Sequence, residues 1–360
     1  MAPDPGATGS AAEAPRTLDI PGVHALAASV LRAAGASACT AESLARAAAS
    51  AERADRRMGG LAGIPGYASA IRDGRLDGHA DPVVSRPRPG VVRVDARDGA
   101  AHLAFDRALD TLVDAAREQG SAVLSVANSF TSGELGYFSR TLAGRGLVAL
   151  VCAHSPALMS AHGSRGRVTG TNPMAFSLPD PAGGTPRTFD QASSVTAWAD
   201  VTAAARREEE LPPGVVVDGA GRPTTDPRSA LDGAILPFGG VKGANIGFMV
   251  EMLAVLSGAD FSLDAAPFDT GSKSPRVGLF ALALDPAAFD PGYVTRVEAH
   301  LASVAAEHGA DFGRRHTPRT EVEVSASLLR RLREAAGPGG VVDLTGTAAP
   351  VGPTRSENPG

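Results

Sequence analysis

Aromatic residues are scarce, at 4% of 360 residues with one Trp and three Tyr, so the core must be filled by Ala, Val and Leu. Basic charge is also short: the chain carries a net charge of −5, which argues against a nucleic-acid or anionic-membrane surface. There are two cysteines, Cys39 and Cys152, far apart and without CxxC spacing. That fits a reducing cytosol and excludes a cysteine-built zinc site. No histidine pair has metal-ligand spacing, so no metal is expected. The sequence has no G-x-S-x-G elbow, P-loop or Rossmann glycine fingerprint. It also has no signal pattern and no apolar run of transmembrane length, so a cytoplasmic protein without a membrane partner is expected.

What is present reads as an α/β protein. Apolar residues make up 43% and charged residues 20%, enough for one large domain or two. Residues 1–16 read as a disordered leader and 338–360 as a flexible tail. Residues 17–85 form a helical N-terminal part: two helices, the second capped at Thr40, then a glycine-rich link to a short helix at Ala68–Asp73. Residues 86–285 form the central α/β domain. There the buried strand Ser121–Asn128, a helix at Leu135–Arg145 and the buried strand Gly146–Cys152 predict a mostly parallel sheet. The apolar strand Val277–Leu284 closes that region, and 286–337 is a C-terminal helical part expected to pack back on the N-terminal one.

Four stretches hold candidate chemistry. Leu236-Pro-Phe-Gly-Gly-Val-Lys-Gly-Ala-Asn245 is a glycine-rich loop opening a helix, with Ile246, Met249, Val250 and Leu253 on one face and Glu251 off it. Helix N-terminal amides and Lys242 suit an anion; the alternative is a tight loop feeding a core helix. The stretch Asn128–Tyr137 follows a buried strand, where open α/β sheets place ligands, and also reads as a capped strand-to-helix turn. Asp190, Ser193 and Ser194 either cap a helix or act at a site. His154 either faces a ligand as an acid or is a loop imidazole.

Three segments occur in a familiar order: Gly170-Thr-Asn-Pro-Met-Ala-Phe-Ser-Leu-Pro179, Asp190-Gln-Ala-Ser-Ser194 and Pro237-Phe-Gly-Gly-Val-Lys-Gly243. With Asp218–Pro227, and more weakly Asn128-Ser and Gly136-Tyr137, they resemble the type-2 malate/L-lactate/sulfolactate dehydrogenase family over roughly residues 20–335. The resemblance implies that family's non-Rossmann fold, a mostly parallel sheet with helical N- and C-terminal parts, a homodimer, and NAD(H) or NADP(H) as cofactor. It implies a small-molecule substrate, a 2-oxo acid or cyclic imino acid reduced by hydride transfer. The cofactor cleft would be lined by Gly170, Thr171, Asn172, Pro173, Asp190, Ser193, Pro237, Phe238, Gly239, Gly240, Lys242 and Gly243.

The departures from the family pattern fall at the substrate. The family's Ser-His-Gly and following arginine align with Met58-Gly59-Gly60 and Gly63, before Pro65 and Tyr67. Its second histidine aligns with Thr131, its Gly-Lys with Ala199-Asp200, and its Pro-Gly-Glu with Pro318-Arg-Thr320. Hydride delivery to a carbonyl leaves an alkoxide that needs a proton, and a positioned acid is worth about two to four orders of magnitude. Malate or lactate is therefore not expected as substrate. An acid would have to come from His154, His162, Tyr137 or Glu134, and an anchor from Arg56, Arg57 or Arg72. Otherwise the substrate needs less help, as a protonated iminium does. The expectation is an NAD(P)H-dependent oxidoreductase with a remodelled pocket, reducing an imine or unusual 2-oxo compound in specialised metabolism. Its catalytic candidates are Thr131, His154, Asp190 and Tyr137, and its pocket is Gly59, Gly63, Tyr67 and Asn128; Asp190→Ala is expected to abolish turnover. The alternatives are a non-redox lyase, isomerase, cyclase or condensing enzyme on the same scaffold, or a non-catalytic homologue.

Overall fold

The computed structural model describes residues 15–337 except 57, 58, 162, 163, 165 and 314. Most of the expected leader, the tail, Arg57 and His162 lie outside those residues.

The chain begins with β1 (Arg16–Asp19) and α1 (Ile20–Ala33), whose first turn is fixed by Asp19 Oδ1 accepting from Gly22 N at 2.7 Å. The next helix, α2 (Ala38–Arg53), is capped by Ser37, which accepts from Thr40 N at 3.2 Å. Thr40 is thus the receiving residue and not the cap. In the expected link, Leu61–Gly63 makes a tight turn into α3 (Ile64–Arg72). The helix starts earlier than predicted because Pro65 fits its first turn and Leu61 and Ile64 are buried. β1 pairs antiparallel with β12 (Glu321–Val324), and α10 (Ala326–Ala336) follows it. Val322, Val324, Leu329 and Leu332 share one core with Val23, Leu26 and Leu31 of α1.

The central sheet runs in the order β2 (Val83–Arg88), β3 (Val91–Asp95), β4 (Ser121–Ser129), β11 (Val277–Leu284), β5 (Val148–Ala153), β6 (Met174–Leu178), β7 (Arg187–Gln191). The strand–helix–strand unit does run parallel, since β4 and β5 point the same way. However, β11 is inserted between them, antiparallel to both, so β3–β4 is the one parallel pair of hydrogen-bonded neighbours and the sheet is mixed. Alternation along these strands explains their unbroken apolar runs. Leu279, Ala281 and Ala283 with Val151 and Val126 face α4 (Ala101–Gln119) and α5 (Gly136–Ala143). Phe280 and Cys152 face α8 (Val241–Ala254) on the opposite side.

A smaller sheet of two-residue strands, β10 (Ala234–Ile235), β8 (Val216–Val217) and β9 (Pro223–Thr224), packs under α6 (Trp198–Arg207) and α7 (Pro227–Leu231). Glu251, expected off the apolar face of α8, is buried, while Phe248 is 64% exposed and Met249, expected on that face, is 40% exposed. The helix seats on Gly243, Gly247, Val250, Glu251 and Ala254, with Ile246 and Leu253 partly buried beside them, so Met249 is the member of the expected stripe that turns outward. α9 (Tyr293–His308) buries none of its residues.

Candidate functional site

Beyond the carboxyl ends of β4 and β5 lies a cavity of about 530 Å³. Its wall takes Gly63 from the turn before α3, Gly66 and Tyr67 from α3, Phe130 to Gly133 from the β4–α5 loop, Ala153 to Pro156 from the end of β5 onward, and Thr171 and Pro173. Ser194, Ala197 and Trp198 close one side, and Arg75 and Phe268 another. This is where open α/β sheets place ligands. Of the residues expected here, Gly63, Tyr67, Thr131, His154, Thr171 and Pro173 all line it.

Thr131 and Tyr67 form one unit, with Thr131 Oγ1 donating to Tyr67 Oη at 3.3 Å. The phenol's own proton remains free, and burial holds it there by pushing the hydroxyl above its ordinary range. His154 is spent differently. Its Nε2 donates to the Asp260 carbonyl at 2.7 Å and its Nδ1 accepts from Gly278 N at 3.3 Å. Both nitrogens serve main chain, and burial lowers its pKa, so it is a neutral brace without an N–H for the cavity.

Four of the catalytic and pocket residues expected here, Gly59, Asn128, Tyr137 and Asp190, stand outside the wall. Asn128, in the left-handed region at φ 57°, donates to Asp95 Oδ1 at 2.9 Å. Tyr137 donates to Asp106 Oδ1 at 3.2 Å, and burial pushes its hydroxyl pKa up. Asp190 accepts from Gly136 N at 2.8 Å, holding the start of α5, and burial raises its pKa to about 6. Glu134, beside it, is tied to Arg140 at 2.7 and 2.8 Å. Neither Arg56, whose Nη2 meets His316 Nε2 at 3.4 Å, nor Arg72, whose Nη1 donates to the Ala335 carbonyl, is part of the wall. Gly59 borders a much smaller pocket of about 30 Å³. It is not simply a truncated position, because a Cβ there would lie 2.6 Å from Glu134 Cβ. Neighbouring chain has moved into the space.

The three motif segments come together in one hydrogen-bonded cluster. Ser193 N donates to the Thr171 carbonyl at 2.8 Å, and Ser193 Oγ to the Asn172 carbonyl at 2.7 Å. Phe238 N donates to the Ser193 carbonyl at 3.0 Å, and Ser194 bridges Pro237. Beneath them Glu251 accepts from Thr169 Oγ1, from Asn172 Nδ2 at 3.0 Å and from Ser262 N at 2.9 Å. Ser262 Oγ in turn accepts from Gly170 N at 3.0 Å. Sequence reasoning missed Glu251, and a lone acid on an apolar helix was the available signal.

On the far side of residues 192–198 is a second recess of about 590 Å³, lined by Ser160, Val195, Leu236, Pro237, Gly239 and Gly240. Gly239 and Gly240 have φ of 57° and 65° with open space where a Cβ would stand, directly before α8. Gly243 closes the turn, since a Cβ there would sit 1.8 Å from the Phe238 carbonyl oxygen. Lys242 is exposed in the first turn. Unpaired helix amides, bare glycines and a lysine are a donor set that fits a pyrophosphate. Among the described residues no cluster of metal-binding side chains occurs.

The sequence profile of the malate/L-lactate dehydrogenase family matches residues 18–322. The Δ1-pyrroline-2-carboxylate/Δ1-piperideine-2-carboxylate reductase of Pseudomonas putida is 42% identical over 258 residues, 70% of this chain and 74% of that protein. The (2R)-3-sulfolactate dehydrogenase (NADP+) of Chromohalobacter salexigens is 34% identical over 329 residues, 89% of this chain and 98% of its own. The crystal structure of Δ1-piperideine-2-carboxylate reductase from Pseudomonas syringae superposes with a TM-score of 0.81 at 35% identity, covering 89% of this chain and 99% of that one. The chain belongs to the malate/L-lactate dehydrogenase family, and its fold is that family's α/β fold. It is an oxidoreductase using NAD(H) or NADP(H).

Proposed function

We propose that the protein reduces a carboxylate-bearing imine, taken as its protonated iminium, and disfavours 2-oxo acids. The observation that carries this is the proton inventory of the cavity. Gly59, Gly63 and Thr131 stand where the family resemblance implies histidine, arginine and histidine, and both nitrogens of His154 are committed to main chain. A carbonyl would turn into an alkoxide with neutral hydroxyls such as those of Tyr67 and Ser132, and no imidazolium, in the wall, whereas an iminium turns into a neutral amine and needs no protein proton. The names of relatives at 34–42% identity, several of them pyrroline-2-carboxylate reductases, support the same choice.

NAD(P)H, when bound, supplies the hydride that adds to the iminium carbon, leaving the amine and NAD(P)+. In this reading Gly239, Gly240, Lys242 and the α8 amides hold the pyrophosphate, and Thr171 and Pro173 wall the cavity where substrate and nicotinamide meet. Tyr67, steadied by Thr131, orients the substrate nitrogen. The intact glycine loop weighs against the non-redox and non-catalytic alternatives. The exposed Val241, Phe248 and Met249 of α8, with Leu256, Phe261 and Leu263 beyond it, support a homodimer. Unpaired Cys39 and Cys152 support a cytoplasmic enzyme, which we place in specialised metabolism.

The test is NADH and NADPH oxidation with Δ1-pyrroline- and Δ1-piperideine-2-carboxylate beside pyruvate and oxaloacetate. We expect kcat/KM for an imino acid to exceed that for either oxo acid by at least about a hundredfold, the scale of a missing general acid. Equal rates, or no turnover of any imino acid, would overturn the proposal.

A further inference from the structure

We infer that Arg75 is the counter-ion for the substrate carboxylate, replacing the arginine absent at Gly63; this rests on the imino-acid reading above. The cavity wall is largely apolar, with Phe130, Leu158, Trp198 and Val277 among its residues. A carboxylate enters such a space only against a fixed cation. Arg75 is the one lysine or arginine among the described residues of that wall, and it is 3% exposed.

Its guanidinium is held firmly. Nη2 donates to Asp73 Oδ2 at 2.6 Å and Ser69 Oγ at 3.0 Å, and Nη1 donates to the Phe268 carbonyl. Those bonds use three of five N–H groups. The remaining Nη1 proton and the buried Nε–H are open, and Nε has no hydrogen-bond partner. A buried guanidinium N–H without an acceptor marks a place where a ligand's oxygen is missing. Asp73, the partner of Arg75, is 49% exposed, and Asp269 on the same wall is solvent-exposed, so water weakens both opposing fields. Gly66, on the same wall, leaves open space where a Cβ would be. Ser132 Oγ, buried in the same wall and also without a partner, is a second donor within this cavity.

The experiment uses picolinate, a flat six-membered analogue of a cyclic imino acid, and 2-methylpyridine, its carboxylate-free counterpart. Calorimetry is run on wild type, Arg75→Met and Arg75→Lys in the presence of saturating NADP+ or NAD+. Wild type should bind picolinate and not 2-methylpyridine. Arg75→Met should weaken picolinate by at least about thirtyfold and Arg75→Lys by about three- to tenfold, as expected for losing or displacing a charge-assisted bond. Dinucleotide affinity should stay within about twofold, since Arg75 lies outside the glycine loop. In turnover the loss should appear in KM, with kcat nearly kept. If Arg75→Met does not fold, Arg75→Lys decides. Picolinate binding unchanged in the variant that folds, or no picolinate binding by wild type, overturns the assignment. Picolinate held through Arg75 by a protein that reduces no imino acid keeps the anion site and overturns the functional reading instead.

Discussion

The two recesses on either side of residues 192–198 are built in opposite ways. The recess beside α8 rests on a denser network: Glu251 gathers Thr169, Asn172 and Ser262, main-chain bonds join residues 171, 193 and 238, and Asn172 Oδ1 is left without a partner. The cavity beside α3 has a sparse polar lining, in which Ser132 Oγ and Arg75 Nε lack partners and one Thr–Tyr contact links α3 to the β4–α5 loop. A network in which every member supports the next tolerates little change, whereas a sparse apolar wall can be refitted to a new substrate at small cost to the fold. In the proposed assignment, substrate chemistry beside α3 can then diverge while the dinucleotide side beside α8 stays as it is.

The largest expected effect attacks the dense side. Glu251→Ala removes the acceptor of the Thr169 hydroxyl and of the buried Ser262 N–H, while Asn172 Nδ2 keeps Thr169 Oγ1 and the Gly247 carbonyl, which should lower stability by about 2–3 kcal/mol and weaken NAD(P)H at least tenfold. Urea melts and dinucleotide fluorescence measure this; a stable variant with wild-type affinity would break the contrast between the two recesses.

A middling effect is expected at Gly59. Because Glu134 occupies the space a side chain would need, Gly59→His should cost about 1–3 kcal/mol and bring no malate or lactate turnover. Gain of either activity at wild-type stability would mean the pocket had merely been emptied.

The smallest effect concerns Asp190. Burial raises its folded pKa to about 6 from the ordinary 3.8, so the native state holds this proton more tightly than the unfolded chain does. The associated stability is complete below about pH 4 and is lost as pH rises to about 6, amounting to roughly 2–3 kcal/mol. Asp190→Asn should therefore raise stability by about 1–2 kcal/mol at pH 7.5 and by nothing at pH 4. From its place outside the cavity wall, kcat should stay within about threefold, unlike the loss of turnover expected from sequence. A collapse of kcat without change in dinucleotide affinity would return Asp190 to the reacting centre.

Much of this was legible residue by residue. Unbroken apolar runs announced β4, β5 and β11, because strands covered on both faces must be apolar at every position. The segments at 170–173, 190–194 and 237–243 announced the family. The insertion of β11 between β4 and β5 was not legible, since strand order depends on long-range pairing that no local pattern records. The first turn of α3, up to Tyr67, reads as part of the glycine-rich link, because its glycines outweigh Pro65 and the buried Leu61 and Ile64, while the helix from Ala68 reads as one. Glu251 reads only as lying off the apolar stripe, and the seating of α8 on Gly243, Gly247, Val250 and Ala254 turns it inward.

By itself, then, the sequence determined the family and the class of chemistry, because those are matters of residue identity along matched segments, and the resemblance implies where an acid and an anchor are replaced. The tertiary structure decided which groups replace or do not replace them. Tyr137, Asn128 and Asp190 turn away and His154 is consumed by main chain, while Arg75, unremarkable in the sequence, folds back from the end of α3 to the cavity wall. The reason is physical: an ionisable group's role is set by its burial and its partners, and both are fixed only when distant segments pack.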